Sequence, residues 1–146
     1  MGGADLSDSA IVEAHKDVRN DKTATNWLLL NYESDKSDIL KLTATGEGGL
    51  DELTPKLNEG DCAFAYARVE YANDKESKRV KFVLIVWIGS AVKIMRKAKV
   101  SVHAGEVKQV LNSYSIEVSA GEQSEVDQEH IVTRLRKAGG ASYDGV

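Results

Sequence analysis

Arg79 and Lys81 stand two residues apart, directly ahead of the run Phe82-Val83-Leu84-Ile85-Val86-Trp87-Ile88, with Lys75 and Lys78 just upstream. Cationic groups at that spacing make and break no bonds by themselves; they recognise an acidic partner through charge-assisted hydrogen bonds. The other residues that could do chemistry are dispersed. His15, His103 and His130 fall on three separate helical segments, without the spacing that holds a metal ion. Cys62, the one cysteine, opens an apolar strand, which fits a core role in a reducing compartment better than a nucleophile. No G-x-S-x-G, phosphate-binding loop or Cys-x-x-Cys occurs, and no acid sits in an apolar setting that would shift its pKa towards catalytic use. The expectation is a binding surface and no enzyme, with no cofactor and no metal.

The two cations are positioned by the strand that follows them. Seven apolar residues ending at Gly89 are short for a helix and read as a strand buried on both faces. Side chains two apart share a strand face, so Arg79 and Lys81 continue the row Val83, Ile85, Trp87 at the rim of the core. Ahead of this strand, the pattern gives a helix from Ser7 or Ser9 to Asn20, with a serine N-cap and Ile11, Ala14, His15 and Val18 inward. A hairpin of strands over 25–33 and 39–44 comes next. A short helix over 50–57, interrupted by Pro55, leads to a strand over 62–72.

Beyond Gly89 a long helix is expected over 91–112. On a helical wheel its first half is apolar along Ala91, Met95, Ala98 and Val102, its second along Val107, Val110, Leu111 and Tyr114. The two stripes lie roughly 120° apart, which predicts a kink or a change of packing partner near Gly105, with Lys93, Arg96 and Lys97 in solvent. A strand over 114–119 follows. The last helix is expected to start from a Ser124 cap with Asp127 in the capping-box position, to bury Ile131, Leu135 and Ala138, and to end at Gly139-Gly140. The order αββαββαβα predicts an α/β (α+β) fold, a mixed central sheet of about five strands flanked by helices on both faces. Residues 7–138 form its single domain, between a disordered 1–6 and a flexible tail over 139–146.

A chain of 146 residues, 42% hydrophobic and 29% charged, buries a core without disulfides or metals. No apolar run is long enough to cross a bilayer, and no secretory stretch follows Met1, so a cytoplasmic location is expected, and the chain is expected to act as a monomer. The net charge of −4 argues against general affinity for nucleic acid. Its distribution says more: residues 75–99 hold eight Lys and Arg against one acid, a net +7 that leaves −11 on the rest of the chain.

The run Lys78-Arg79-Val80-Lys81-Phe82-Val83-Leu84-Ile85-Val86-Trp87-Ile88-Gly89 closely resembles coactosins, members of the actin-depolymerising-factor homology (cofilin/gelsolin-like) superfamily. So do the segment Met95-Arg96-Lys97-Ala98-Lys99 and the ending Leu135-Arg136-Lys137-Ala138-Gly139-Gly140-Ala141-Ser142-Tyr143-Asp144. The kinked long helix is also a feature of that fold. The resemblance implies binding to the sides of actin filaments in the cytoskeleton, without catalysis and with weak or no binding to monomeric actin. Carried over by motif, the filament-contacting positions are Lys78, Arg79 and Lys81 on the strand and Lys137 at the last helix, with Lys97 and Lys99 on the long helix. Lys75 and Arg134 complete the cationic set.

Met95 stands where depolymerising factors carry a cation, Trp87-Ile88-Gly89 replaces the Trp-Ser-Pro of cofilins, and no serine directly follows Met1. These departures favour filament binding over cofilin-like severing, depolymerisation or monomer binding; the resemblance alone further implies protection of filament ends from capping. The same cations would also meet anionic phospholipid headgroups, the alternative that the residues leave open. A further alternative has Lys81 serving only to neutralise Glu70 across the hairpin.

Overall fold

The apolar run after Lys81 forms a strand covered on both faces, and the sheet is arranged around it. The computed structural model describes residues 3–72 and 77–139. In chain order the elements are α1 (Ser9–Arg19), β1 (Trp27–Tyr32), β2 (Leu40–Gly46), α2 (Gly49–Leu53), a 3-10 turn (Thr54–Lys56), β3 (Cys62–Ala72), β4 (Lys78–Ile88), α3 (Ile94–Val110), β5 (Ile116–Ala120), a second 3-10 turn (Gln123–Glu125) and α4 (Gln128–Ala138). The strands form one mixed sheet in the order β2-β1-β3-β4-β5, antiparallel except for the parallel pair β4–β5. This is the five-stranded α+β architecture expected from the sequence.

Alternation along β4 divides the core into two layers. Val83, Ile85 and Trp87 pack with Trp27, Leu50, Leu53, Ile131 and Leu135, on the face covered by α2 and α4. Leu84 and Val86 pack with Ile11, Val18, Phe64, Tyr66 and Val107, on the face covered by α1 and α3. Val83, Leu84 and Ile85 are 0% exposed. Fully burying one such side chain stabilises by about 1.5–3 kcal/mol, so the strand beyond Lys81 is a firm support.

Carboxylates take the capping positions that the sequence assigns to serines. Asp8, not Ser7 or Ser9, caps α1: Oδ1 accepts from Ala10 N at 3.1 Å while Oδ2 accepts from Leu42 N at 3.1 Å. Its two oxygens let one residue cap a helix and tie the β2 edge together. Asp5, inside the segment 1–6 expected to be disordered, pairs with Ile39 instead; Asp5 N donates to Asp38 O and Leu40 N donates to Asp5 O. At the other end, Ser124 lies in the 3-10 turn, whose capping box joins Glu122 and Glu125. The N-cap of α4 is Asp127, and Val132 rather than Ala138 joins Ile131 and Leu135 in the core.

Asp127 Oδ1 accepts from His130 N at 2.9 Å and lies 2.8 Å from His130 Nδ1. These bonds hold the Asp127 carboxyl below its ordinary 3.8, and the carboxylate holds the imidazole above its ordinary 6.5. The carboxylate's contribution is present above pH 3.8 and is lost as pH falls through the lowered value. The imidazolium's is complete below pH 6.5 and is lost as pH rises through the raised value. Asp127→Ala is therefore expected to lower the Tm more at about pH 5.5 than at about pH 8.5. Thermal melts at both values check this; equal losses would mean that the imidazolium adds nothing.

The long helix differs most from its sequence reading. It runs unbroken from Ile94 to Val110 with a single inward row, Val100, His103, Ala104 and Val107, continued by Leu111. Met95 is 75% and Val102 54% exposed, and Ala98 is exposed beside them. Arg96, expected in solvent, is turned inward with 12% of its side chain exposed. A wheel scores arginine as polar, but its guanidinium stacks over the Tyr32 ring and donates to loop carbonyls of Ser34 and Asp35. One face therefore serves the whole helix, and no change of face at Gly105 is needed.

Candidate functional site

The β3–β4 register decides where the cations go. Lys81 lies opposite Val69 and Arg79 opposite Tyr71, residues of the α2/α4 layer. Arg79 and Lys81 thus extend the row Val83, Ile85, Trp87 past the edge of the core, as their spacing predicts. Lys78 is on the other face of the sheet, with Val80. Glu70 pairs with Val80 and so also projects from that other face, which overturns the idea that it neutralises Lys81. Among the described residues, neither Arg79 nor Lys81 enters an ion pair. Arg79 is exposed and Lys81 half-buried. Lys75 lies outside the described residues.

The end of α4 reaches the same edge through a residue that the sequence reading passed over. Arg136 Nη2 donates to Ala72 O at 2.7 Å, and its guanidinium carbon lies 5.8 Å from the centre of the Tyr71 ring. Since Tyr71 is the cross-strand partner of Arg79, the three cations Arg79, Lys81 and Arg136 collect around one β3–β4 end. The place of Arg136 next to the inward Leu135 is the signal that puts it on the flank facing the sheet. Lys137 and Arg134 are exposed farther round α4, where they line a shallow hollow with Glu129, His130 and Thr133.

The long helix forms a second, separate surface on the opposite side of the sheet. Lys97 is exposed there, flanked by Ile94 (80% exposed), Met95 and Ala98. Lys99 is less free: its Nζ lies 3.2 Å from Asp38 Oδ1. The eight cations named by the sequence therefore do not form one patch. Arg79 and Lys81 gather with Arg136, Lys97 belongs to α3, and Lys99 serves the ion pair.

The groups with chemical potential elsewhere have structural partners. His15 Nε2 meets Asn112 O at 2.9 Å, and His103 Nδ1 meets the Tyr32 hydroxyl at 2.6 Å. Burial pushes the Cys62 thiol up to about 11, far from thiolate chemistry at neutral pH. Among the described residues no group of His, Cys, Asp and Glu is arranged to hold a metal ion, and no helix is long and apolar enough to cross a membrane. The arrangement equips the molecule for recognition: a rigid cationic edge, and an exposed helix with apolar and basic side chains.

Residues 3–136 match the family described as cofilin/tropomyosin-type actin-binding protein. The chain is 40% identical over 143 residues to a coactosin of Dictyostelium discoideum, covering 97% of this chain and 96% of that one. The crystal structure of coactosin from Entamoeba histolytica superposes with a TM-score of 0.84 at 32% identity, over 95% of this chain and 99% of that one. The solution structure of mouse coactosin, described as an actin filament binding protein, superposes with a TM-score of 0.75 at 28% identity, over 97% and 96% of the two chains.

Proposed function

The chain belongs to the cofilin/tropomyosin-type actin-binding family, with coactosins among its relatives, and from that premise we propose that it binds the sides of actin filaments through the cationic end of β4 and α4. The observation that carries this reading is the pair Arg79 and Lys81. They stand on a strand that is fully buried from Val83 to Ile85, outside any ion pair among the described residues, with Arg136 beside them. Cations held in place lose little freedom on binding, so more of their attraction to acidic groups on a filament appears as affinity. Lys137 and Arg134 widen the surface along α4, and Lys78 adds charge from the opposite face of the sheet.

The exposed strip of α3 is the second contact, made by Ile94, Met95, Lys97 and Ala98. Its chemistry is mixed, since Met95 is apolar and the neighbouring Lys99 is engaged by Asp38. A strip so short of free charge supports filament binding without severing or depolymerisation and weak affinity for monomers, and a cytoskeletal role follows from the actin-binding family. Filaments incubated with excess protein are expected to keep their length and depolymerisation rate. Rapid shortening in the absence of capping protein would place the chain functionally with the depolymerising factors. Pelleting with anionic vesicles at the same salt separates filament binding from attraction of the same cations to lipid headgroups.

A further inference from the structure

Between Val92 and Val100 the start of α3 has no inward apolar residue: Ile94, Met95, Lys97 and Ala98 are exposed. What fastens it to the protein is polar. The Arg96 guanidinium carbon lies 4.0 Å from the centre of the Tyr32 ring, and Nη2 donates to the carbonyls of Ser34 and Asp35 in the β1–β2 loop. Nη1 lies 3.8 Å from Asp38 Oδ1, and the same oxygen receives Lys99 Nζ at 3.2 Å and faces His103 Nε2 at 3.9 Å. The Tyr32 hydroxyl lies 2.6 Å from His103 Nδ1, a further polar tie between β1 and α3 beside the Arg96 stack. Arg96 Nη1 is itself buried and makes no hydrogen bond. An apolar side chain would cover Tyr32 without burying a guanidinium nitrogen that lacks a hydrogen bond, which costs stability. Arginine at this position is better explained by what it fastens than by what it stabilises.

We propose that Arg96 is a positioning residue for filament binding: by tying the start of α3 to the β1–β2 loop, it holds Ile94, Met95, Lys97 and Ala98 as one rigid strip. The inference rests on the filament-binding reading above. A strip on a loose helix end would have to be ordered on binding, and that ordering offsets part of the attraction.

Hydrogen exchange and filament co-sedimentation on wild type, Arg96→Ala, Arg96→Lys, Met95→Ala and the Met95→Ala/Arg96→Ala double variant test this. Arg96→Ala is expected to speed exchange of the amides over 94–99 by roughly tenfold, leaving β3 and β4 unchanged, and to weaken filament binding by roughly tenfold. Arg96→Lys keeps a charge near Asp38 but lacks the planar stack and fork, so it recovers only part of the loss; it carries the comparison if Arg96→Ala does not fold. Met95→Ala should weaken binding less in the Arg96→Ala background than in wild type, a coupling that a residue serving only stability does not produce. Wild-type protein that fails to pellet with filaments overturns the functional reading and this inference with it. If wild type pellets and Arg96→Ala pellets equally, or exchange over 94–99 is unchanged, the inference alone is overturned.

Discussion

Gly89→Ala is expected to destabilise the protein by about 3 kcal/mol, the sum of an overpacked contact and weakened hydrogen bonds. Gly89 is buried at the end of β4 against the turn over 58–61. A Cβ there would overlap the Glu59 carbonyl and come within 2.6 Å of Asn58 O, so backbone rather than a flexible side chain would have to move. That turn is held by bonds the movement would strain: Trp87 Nε1 to Asn58 O at 2.7 Å, Gly89 N to Asp61 O at 2.9 Å and Ala91 N to Glu59 O at 2.9 Å. Urea unfolding measures the loss. Gly105→Ala is the control, because a Cβ there meets nothing within 4 Å on an unbroken helix. It should stabilise by about 0.5–1 kcal/mol. A Gly89→Ala midpoint equal to wild type would show that the turn yields freely, and that the Trp-Ile-Gly end of β4 does not lock it.

Lys81→Ala should weaken filament binding by about 2 kcal/mol, roughly thirtyfold, as expected of an interface hot spot. The residue is half-buried at the base of the cationic edge, with Val69 opposite it and fully buried Val83 two positions on. Lys78→Ala, on the opposite sheet face, and Lys75→Ala should act through long-range electrostatics, with smaller effects that salt screens away. Arg136→Ala should fall between them, since it removes both a charge and the tie to Ala72 O. The melting temperature of Lys81→Ala should stay near wild type, because its cross-strand partner is Val69 and not an acid. A lowered Tm with unchanged binding would make Lys81 structural and move the site elsewhere.

What the sequence shows plainly is whatever depends on runs and short spacings. The apolar stretch Phe82–Ile88, the alternation that carries Arg79 and Lys81 past the core, and the interruption at Pro55 all reappear as read. What it conceals depends on partners distant in the chain. Arg96 looks like a surface cation until Tyr32 and Asp38 are brought beneath it, and once it turns inward the apolar Met95 and Val102 are left outside. Ser9 and Ser124 look like caps until Asp8 is seen to accept from Ala10 N and Asp127 from His130 N, each with a charge that suits a helix N-terminus better than a hydroxyl. Arg136 gives no sign of its role without the β3 end against which α4 packs. The site was half legible for the same reason: the strand cations follow from local spacing, whereas their division into two surfaces follows from the sheet.

The central claim is that this chain binds filaments through the edge formed by β4 and α4. High-speed co-sedimentation with actin filaments at rising ionic strength tests it most directly, comparing wild type with Lys81→Glu. Wild type should pellet with filaments at physiological salt and detach progressively as salt rises. Lys81→Glu, with an unchanged melting temperature, should remain in the supernatant. Wild type that stays in solution at every filament concentration, or Lys81→Glu that pellets as wild type does, would contradict the account.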